Sequence, residues 1–268
     1  MFKLQLGVNK CTNKEYHSDK AWLSSSSLKK ILEDPSKFYE EEVLAKKEEE
    51  AENTAFDEGS LTHSLILEPN LVAKEYAFYT GMRKQGAEYD AFKAQVSGKT
   101  IISAPQRVRC NKNLEAFQRN KTAVALLQGG DAEHSMCQLL QDIPMKARAD
   151  YINIDKGYIV DVKTSGYPVY KESFLLTMDR YRYALSGALY ATIAEITYGK
   201  PFDFYFIAIE KPRSLIEPAD CNVLKISKAT MERGLMECTE AIRLYKKCKE
   251  RDEWTFPEKM LSEGVEEV

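Results

Sequence analysis

The stretch that most restricts how this chain can fold is MKARADYINIDKGYIVDVKTS, residues 145–165. Two runs of extended patterning, 145–154 and 157–164, are joined at Ile154-Asp155-Lys156-Gly157, whose Asp and Gly suit a tight turn. Alternation along the first run puts Arg148 and Asp150 on one face, with Ala147, Ala149 and Tyr151 on the other. Along the second run Asp161 and Lys163 share a face, while Val160 and Val162 point the opposite way. Such a hairpin brings Asp150, Asp161 and Lys163 together over a hydrophobic support. Two carboxylates on neighbouring strands make a hard oxygen site suited to Mg²⁺ or Mn²⁺. A lysine two residues past the second acid can position a water and offset developing negative charge. A surface salt-bridge ladder is the other arrangement that an Asp-x-Lys strand makes.

Helices precede this hairpin and mixed elements follow it. Ser24 to Ser27 precede Leu28, Ile31 and Leu32, an N-cap followed by helical spacing. Asp34-Pro35 ends that helix and starts another through Phe38, Tyr39 and Val43. Residues 56–67 read as a helix with Leu61, Leu65 and Ile66 packed inward, residues 83–96 as a polar helix, and residues 104–127 as one long amphipathic helix. After the hairpin, residues 179–198 read as a helix and residues 202–210 (FDFYFIAIE is 202–210) as a buried central strand. Residues 221–226 suit an edge strand, and Met231, Leu235, Cys238, Ile242 and Tyr245 form a helical stripe. The fold class is α/β (α+β): a short mixed β-sheet flanked by helices, in a single domain over 1–268 with an acidic tail over 250–268.

Charge matters to what such a site could act on. The formal net charge of −3 excludes a chain that binds nucleic acid by being basic throughout. The balance is uneven: residues 99–121 carry six basic side chains and one acid, whereas residues 40–58 carry nine acids and two lysines. Solvated helix faces account for acidic blocks, and a basic block serves either as such a face or as a track for a polyanion. The six cysteines are scattered without a C-x-x-C pair, which suits reduced thiols and disfavours an iron–sulfur cluster. No P-loop, G-x-S-x-G or H-E-x-x-H motif occurs, so no ATP-driven step, serine hydrolase or zinc peptidase is indicated. The chain has neither a secretory signal pattern nor a membrane-length apolar run, and the expected location is the cytoplasm of a bacterial or phage-infected cell, with no membrane partner.

The hairpin resembles the core of the PD-(D/E)XK nuclease superfamily, with Asp150 as first acid and Asp161-Val162-Lys163 as the second half. The wider chain is similar to the phage-type exonucleases, exodeoxyribonuclease VIII and, more distantly, lambda exonuclease. LSSSSLKKILEDPSKFY resembles their opening helix, AFDEGSLTHSLILEP their glycine-to-histidine helix with Gly59 and His63 in the matching places, and GDAEHS the segment that carries an extra acid at Glu133. RYRYALSGALY resembles the aromatic-glutamine helix, and FYFIAIEK a late central strand. The resemblance covers about residues 22–250. Ser186 stands where the family usually has glutamine, and a serine is too short for the same contact; either a water or a neighbour such as Tyr183 takes over, or another residue is the true counterpart, or turnover is weaker.

What the resemblance implies is a Mg²⁺-dependent (or Mn²⁺-dependent) 5′-to-3′ exodeoxyribonuclease acting on linear duplex ends. Asp150, Asp161 and the carbonyl of Val162 would hold a metal, His63 and Glu133 would assist, and Lys163 would position the water. Ser24, Ser26, Arg107, Arg109, Lys112, Arg148, Thr164, Tyr183 and Ser186 are candidates for DNA contacts. Relatives imply a homo-oligomeric ring, a trimer or tetramer, and a single-strand annealing protein as partner. An endonuclease or repair nuclease on the same fold, or a catalytically weak DNA-binding phage accessory protein, would fit the same residues.

Overall fold

The computed structural model of the protein describes residues 2–46, 54–96 and 98–255; the acidic tail beyond residue 255 lies outside the described residues. The chain begins with strand β1 (Gly7–Asn9) and helices α1 (Asn13–Ser18), α2 (Ser25–Glu33) and α3 (Pro35–Phe38), the last continuing as a π-helical turn over Tyr39–Val43. Next come α4 (Thr54–Leu67), α5 (Val72–Glu75), β2 (Tyr76–Phe78), α6 (Ala87–Gln95), β3 (Thr100–Ile102), α7 (Ala104–Arg119) and α8 (Lys121–Leu126). The long strands are β4 (Asp131–Leu140), β5 (Ile143–Asn153) and β6 (Tyr158–Ser165), and α9 (Lys171–Arg180) and α10 (Tyr183–Tyr198) cross over to β7 (Asp203–Glu210). Strand β8 (Asp220–Lys225) and helix α11 (Lys228–Arg251) complete the order.

Among the described residues, six strands form one mixed sheet in the order β1-β4-β5-β6-β7-β8, and β2 pairs with β3 in a separate small ribbon. Every neighbouring pair in the large sheet is antiparallel except β6 and β7, which the α9–α10 crossover makes parallel. The expected central strand is β7, and β8 is the expected edge. On one face Ile159, Phe204, Phe206 and Ala208 pack with α2, α10 and α11 around Leu28, Ile31, Leu185 and Ile242. On the other, Val160, Val162, Ile207 and Ile209 pack with Phe117 and Ala123 of α7 and α8. This is the flanked mixed sheet that the patterning predicts. No helix among the described residues is long and apolar enough to cross a membrane.

Four local expectations need correction. The helix over 104–127 is two helices, because Asn120 ends α7 and caps α8: its side chain accepts from the Ala123 amide at 3.1 Å and donates to the Cys221 carbonyl at 2.9 Å. The helix over 179–198 is also two, because Arg182 adopts a left-handed conformation (φ +47°) between α9 and α10. In α11 the buried line passes through Gly234 and Cys238, while Leu235 stays 40 % exposed; a Cβ at Gly234 would stand 2.2 Å from the Ala184 carbonyl oxygen, so only glycine lets α10 and α11 come this close.

The fourth concerns the hairpin itself. Ala147 and Ala149 belong to the α10-side core, but Tyr151 belongs to the α7-side core and Ile152 returns to the first. Alternation therefore slips at Asp150. Beside it, Glu133 of β4, the residue opposite Asp150 in the register, has a left-handed backbone (φ +53°) and makes no ladder pair. On the other side, β5 pairs with β6 only through Tyr151, Ile152 and Asn153. The sheet forks where Asp150 sits.

Candidate metal and catalytic centre

The fork leaves backbone groups of β6 in need of partners, and the Asp150 side chain supplies one. Its Oδ2 accepts the Val162 amide hydrogen at 2.7 Å, replacing a ladder bond and fixing the carboxylate. Helix α4 closes the fork from the α7 side, with Gly59 against β6: a Cβ there would lie 3.5 Å from Thr164 Oγ1, an ordinary contact. One helical turn on, His63 points into the fork. Its Nε2 is 2.8 Å from Asp150 Oδ2 and 3.1 Å from the Val162 carbonyl oxygen, and its Nδ1 is 3.5 Å from Glu133 Oε1.

His63, Glu133 and Asp150 thus offer ligand atoms that all lie within 4.8 Å of one another. Strain at Glu133 is part of how this is achieved, since its left-handed backbone redirects the carboxylate out of the strand's regular alternation. The turn before β4 is equally constrained: a Cβ on Gly130 would meet the Ile152 carbonyl oxygen at 2.2 Å. Arg148 holds the other oxygen of Glu133 through Nε at 2.5 Å and ties Nη1 to Ser135 Oγ and the Cys11 carbonyl. Arg148 is engaged within the chain as an orienting group.

Asp161 and Lys163 lie on the α10 side of β6. Asp161 stands outside the three-residue cluster, its Oδ2 in an ion pair 2.6 Å from Lys163 Nζ. Burial pushes the Asp161 carboxyl above the usual range, repulsion from Asp150 adds to this, and Lys163 opposes it. Burial would depress Lys163, but Asp161 and Asp150 outweigh it and raise its pKa, so the side chain is held as an ammonium. Burial likewise works against a charged His63, yet the Asp150 carboxylate prevails and raises it to about 10. Asp150 resists its own burial through His63 and is lowered. The fork is a network of acids and bases that offset one another's charge.

The donor set fits a divalent cation with a preference for oxygen: carboxylates of Asp150 and Glu133, the Val162 carbonyl and one imidazole, with the buried Asp161 carboxylate beside them. These are the residues expected from the sequence for Mg²⁺ or Mn²⁺, with Asp161 turned toward Lys163.

The expected DNA contacts are dispersed. Ser24 caps α2, its Oγ 2.7 Å from that of exposed Ser26, while Ser25 and Ser27 are buried. In the basic block, Arg109 is bound to buried Glu58, Lys112 donates to the Glu217 carbonyl at 2.7 Å, and Arg107 lies 4.6 Å above the Phe78 ring. Asp57 pairs with Lys84 at 2.8 Å. Tyr183 and Ser186 share a face of α10, and the Tyr183 ring lies 5.7 Å from Lys163 Nζ. His134 of β4 bonds to the Tyr198 hydroxyl at 2.6 Å.

Three neighbours of the site escaped the sequence reading. Lys29 of α2 lies 5.3 Å over the Tyr183 ring, and burial, followed by repulsion from Lys163, lowers it to about 8. Tyr190, bonded to Ser25, is raised to about 12 by burial and by Asp161 and Asp150. Glu68 is raised by burial and by Glu133. Lys29 and Tyr190 sit on helices whose amphipathic patterning explains them as half-buried; only the seven-residue spacing of Tyr183 and Tyr190 marks a shared face.

Compared with known families, residues 24–261 match a family described as a PDDEXK-like domain of unknown function (DUF3799). No curated protein matches the sequence. Among solved structures, a "putative exonuclease" from Eubacterium rectale superimposes with a TM-score of 0.65 at 17 % identity, covering 91 % of this chain and 88 % of its own. That similarity establishes a shared fold.

Proposed function

Because the chain belongs to the PDDEXK-like family DUF3799, we propose that it is a divalent-metal-dependent deoxyribonuclease that degrades linear duplex DNA from 5′ ends and leaves 3′ single strands. The observation that carries this reading is the convergence of His63, Glu133, Asp150 and the Val162 carbonyl beside the Asp161–Lys163 pair. Asp150, Glu133, His63 and Val162 would hold Mg²⁺ or Mn²⁺, with Asp161 completing the set. A metal bound there supplies Lewis-acid activation of water and of the scissile phosphate.

The chain's own groups do the rest. Lys163, kept as an ammonium by two carboxylates, donates hydrogen bonds that orient the attacking water and neutralise charge growing on phosphate oxygens. Arg148 keeps Glu133 in place, and Tyr183 walls Lys163 on the α10 side where Ser186 is too short to reach. Exposed Ser26, with Thr164 beside α4, would meet the DNA backbone. The role we assign is resection for recombination in the cytoplasm, by a closed homo-oligomer, a trimer or tetramer, that hands the 3′ strand to an annealing protein.

The test is digestion of 5′-labelled linear duplex beside a closed circle, with Mg²⁺ or Mn²⁺. Mononucleotides from the linear form and an intact circle are expected. Cutting of the circle would instead identify an endonuclease, and binding without cutting an accessory DNA-binding protein. Lys163→Ala and Asp161→Ala should each lower cleavage by about 10²–10³-fold or more; substantial residual metal-dependent cleavage would overturn the site.

A further inference from the structure

An aromatic and cationic ladder leads from Lys163 to the surface. The Tyr183 ring, 5.7 Å from Lys163 Nζ, stacks on Tyr181 at 5.6 Å with an interplanar angle of 23°. Arg180 follows, its guanidinium carbon 6.0 Å from the Tyr181 ring and 6.0 Å from that of Tyr167, to whose hydroxyl it donates at 3.1 Å. Tyr167 and Tyr181 are each 46 % exposed. The inner end is anchored, because Tyr183 packs on Phe174 and Phe206 of the core. The left-handed Arg182 between Tyr181 and Tyr183 is the kink that lets both rings face the same way, although they lie on either side of a helix break.

Exposed aromatic faces with a guanidinium between them are what unpaired nucleobases stack on. The charge around the ladder favours the same ligand. Asp179 is neutralised by Arg233 at 2.6 Å and Glu237 faces Arg182 at 3.7 Å, which leaves the Arg180 guanidinium as the charge between the two exposed rings. We propose that Tyr167, Arg180 and Tyr181 form a stacking platform for the unpaired bases of a DNA strand whose backbone passes Lys163. The platform rests on the nuclease reading above and adds to it a preference for frayed or tailed ends over fully paired ones.

The experiment is fluorescence anisotropy in chelator, so that nothing is cut, with a duplex carrying a short unpaired tail and a blunt duplex of equal paired length. Wild-type protein should favour the tailed duplex. Tyr181→Ala should weaken tailed binding by about 5- to 150-fold and leave blunt binding unchanged, while Tyr181→Phe, which keeps the ring, should restore it. A 2-aminopurine in the tail should be quenched by wild-type protein and not by Tyr181→Ala, a signal that a merely structural role for the ring would not produce. Equal affinities of wild type, Tyr167→Ala and Tyr181→Ala for tailed DNA would overturn the platform, as would loss of self-association in Tyr181→Ala with DNA binding intact. Cleavage by the wild type is scored separately: tail preference without metal-dependent cleavage would sink the nuclease reading and keep the platform.

Discussion

His63 and Asp150 share one carboxylate oxygen with the backbone: Asp150 Oδ2 lies 2.8 Å from His63 Nε2 and accepts the Val162 amide at 2.7 Å. A single atom therefore joins helix α4, strand β5 and strand β6.

That relationship predicts what Asp150→Asn does. The amide keeps a hydrogen-bond acceptor for Val162 but removes the charge that holds His63 protonated. Burial and Lys163 both act downward on His63. Its pKa should fall from about 10 to below 6.5, read by NMR titration of the imidazole. A value still near 10 would mean that Glu133 alone supports the charge.

Stability should carry the same signature. The His63 pKa is raised on folding from 6.5 to about 10, so its ion pair stabilises the metal-free fold fully below pH 6.5 and is lost as pH rises toward 10. Lys29 and Lys146, each lowered to about 8 by burial, act in the opposite sense over part of this range. The comparison must therefore be between wild type and His63→Gln. The wild-type advantage in melting temperature should be largest below pH 6.5 and shrink across that window. A pH-independent difference would rule the ion pair out as its source.

Metal binding must then release a proton near neutral pH. Affinity for Mg²⁺ or Mn²⁺ should rise by roughly tenfold per pH unit up to about pH 10, where His63 no longer has a proton to give up. Calorimetry in buffers of different ionisation enthalpy should count close to one proton per ion. Binding heats that do not depend on the buffer would exclude His63 as a ligand.

Gly130→Ala tests the turn that aims Glu133. The added Cβ would stand 2.2 Å from the Ile152 carbonyl oxygen, a backbone atom that cannot swing away. Denaturant unfolding should show a loss of about 1–3 kcal/mol, the usual cost of overpacking. Metal affinity should fall with it, because Glu133 moves when β4 shifts against β5. Wild-type stability and affinity would show that the turn relaxes freely.

Much of this was legible in the residues. The D-x-K strand, the Ile154–Gly157 turn and the serine cap of α2 declare themselves by local chemistry, and the fold class follows from them. Strand β4 did not, because Met136 and Cys137 are adjacent where alternation would separate them, and its first half is polar for the sake of the site. The breaks at Asn120 and Arg182 lack glycine or proline: one depends on a tertiary bond to Cys221, the other on stacking of the rings on either side. The basic block stayed open between a solvated face and a track because sequence cannot show that Arg109 has a buried partner in Glu58, fifty-one positions away. Asp150, Asp161 and Lys163 were readable as types, but the slip in alternation that turns Asp150 into the fork of the sheet was not.

The fork in the sheet has a consequence for how this protein could change. An inactivating substitution that leaves the scaffold untouched costs a lineage nothing in stability. Here the acid that would grip the ion also stands in for a missing rung between two strands. A lineage that abandoned the chemistry would still need an acceptor at position 150, which makes this site a poor witness to lost activity.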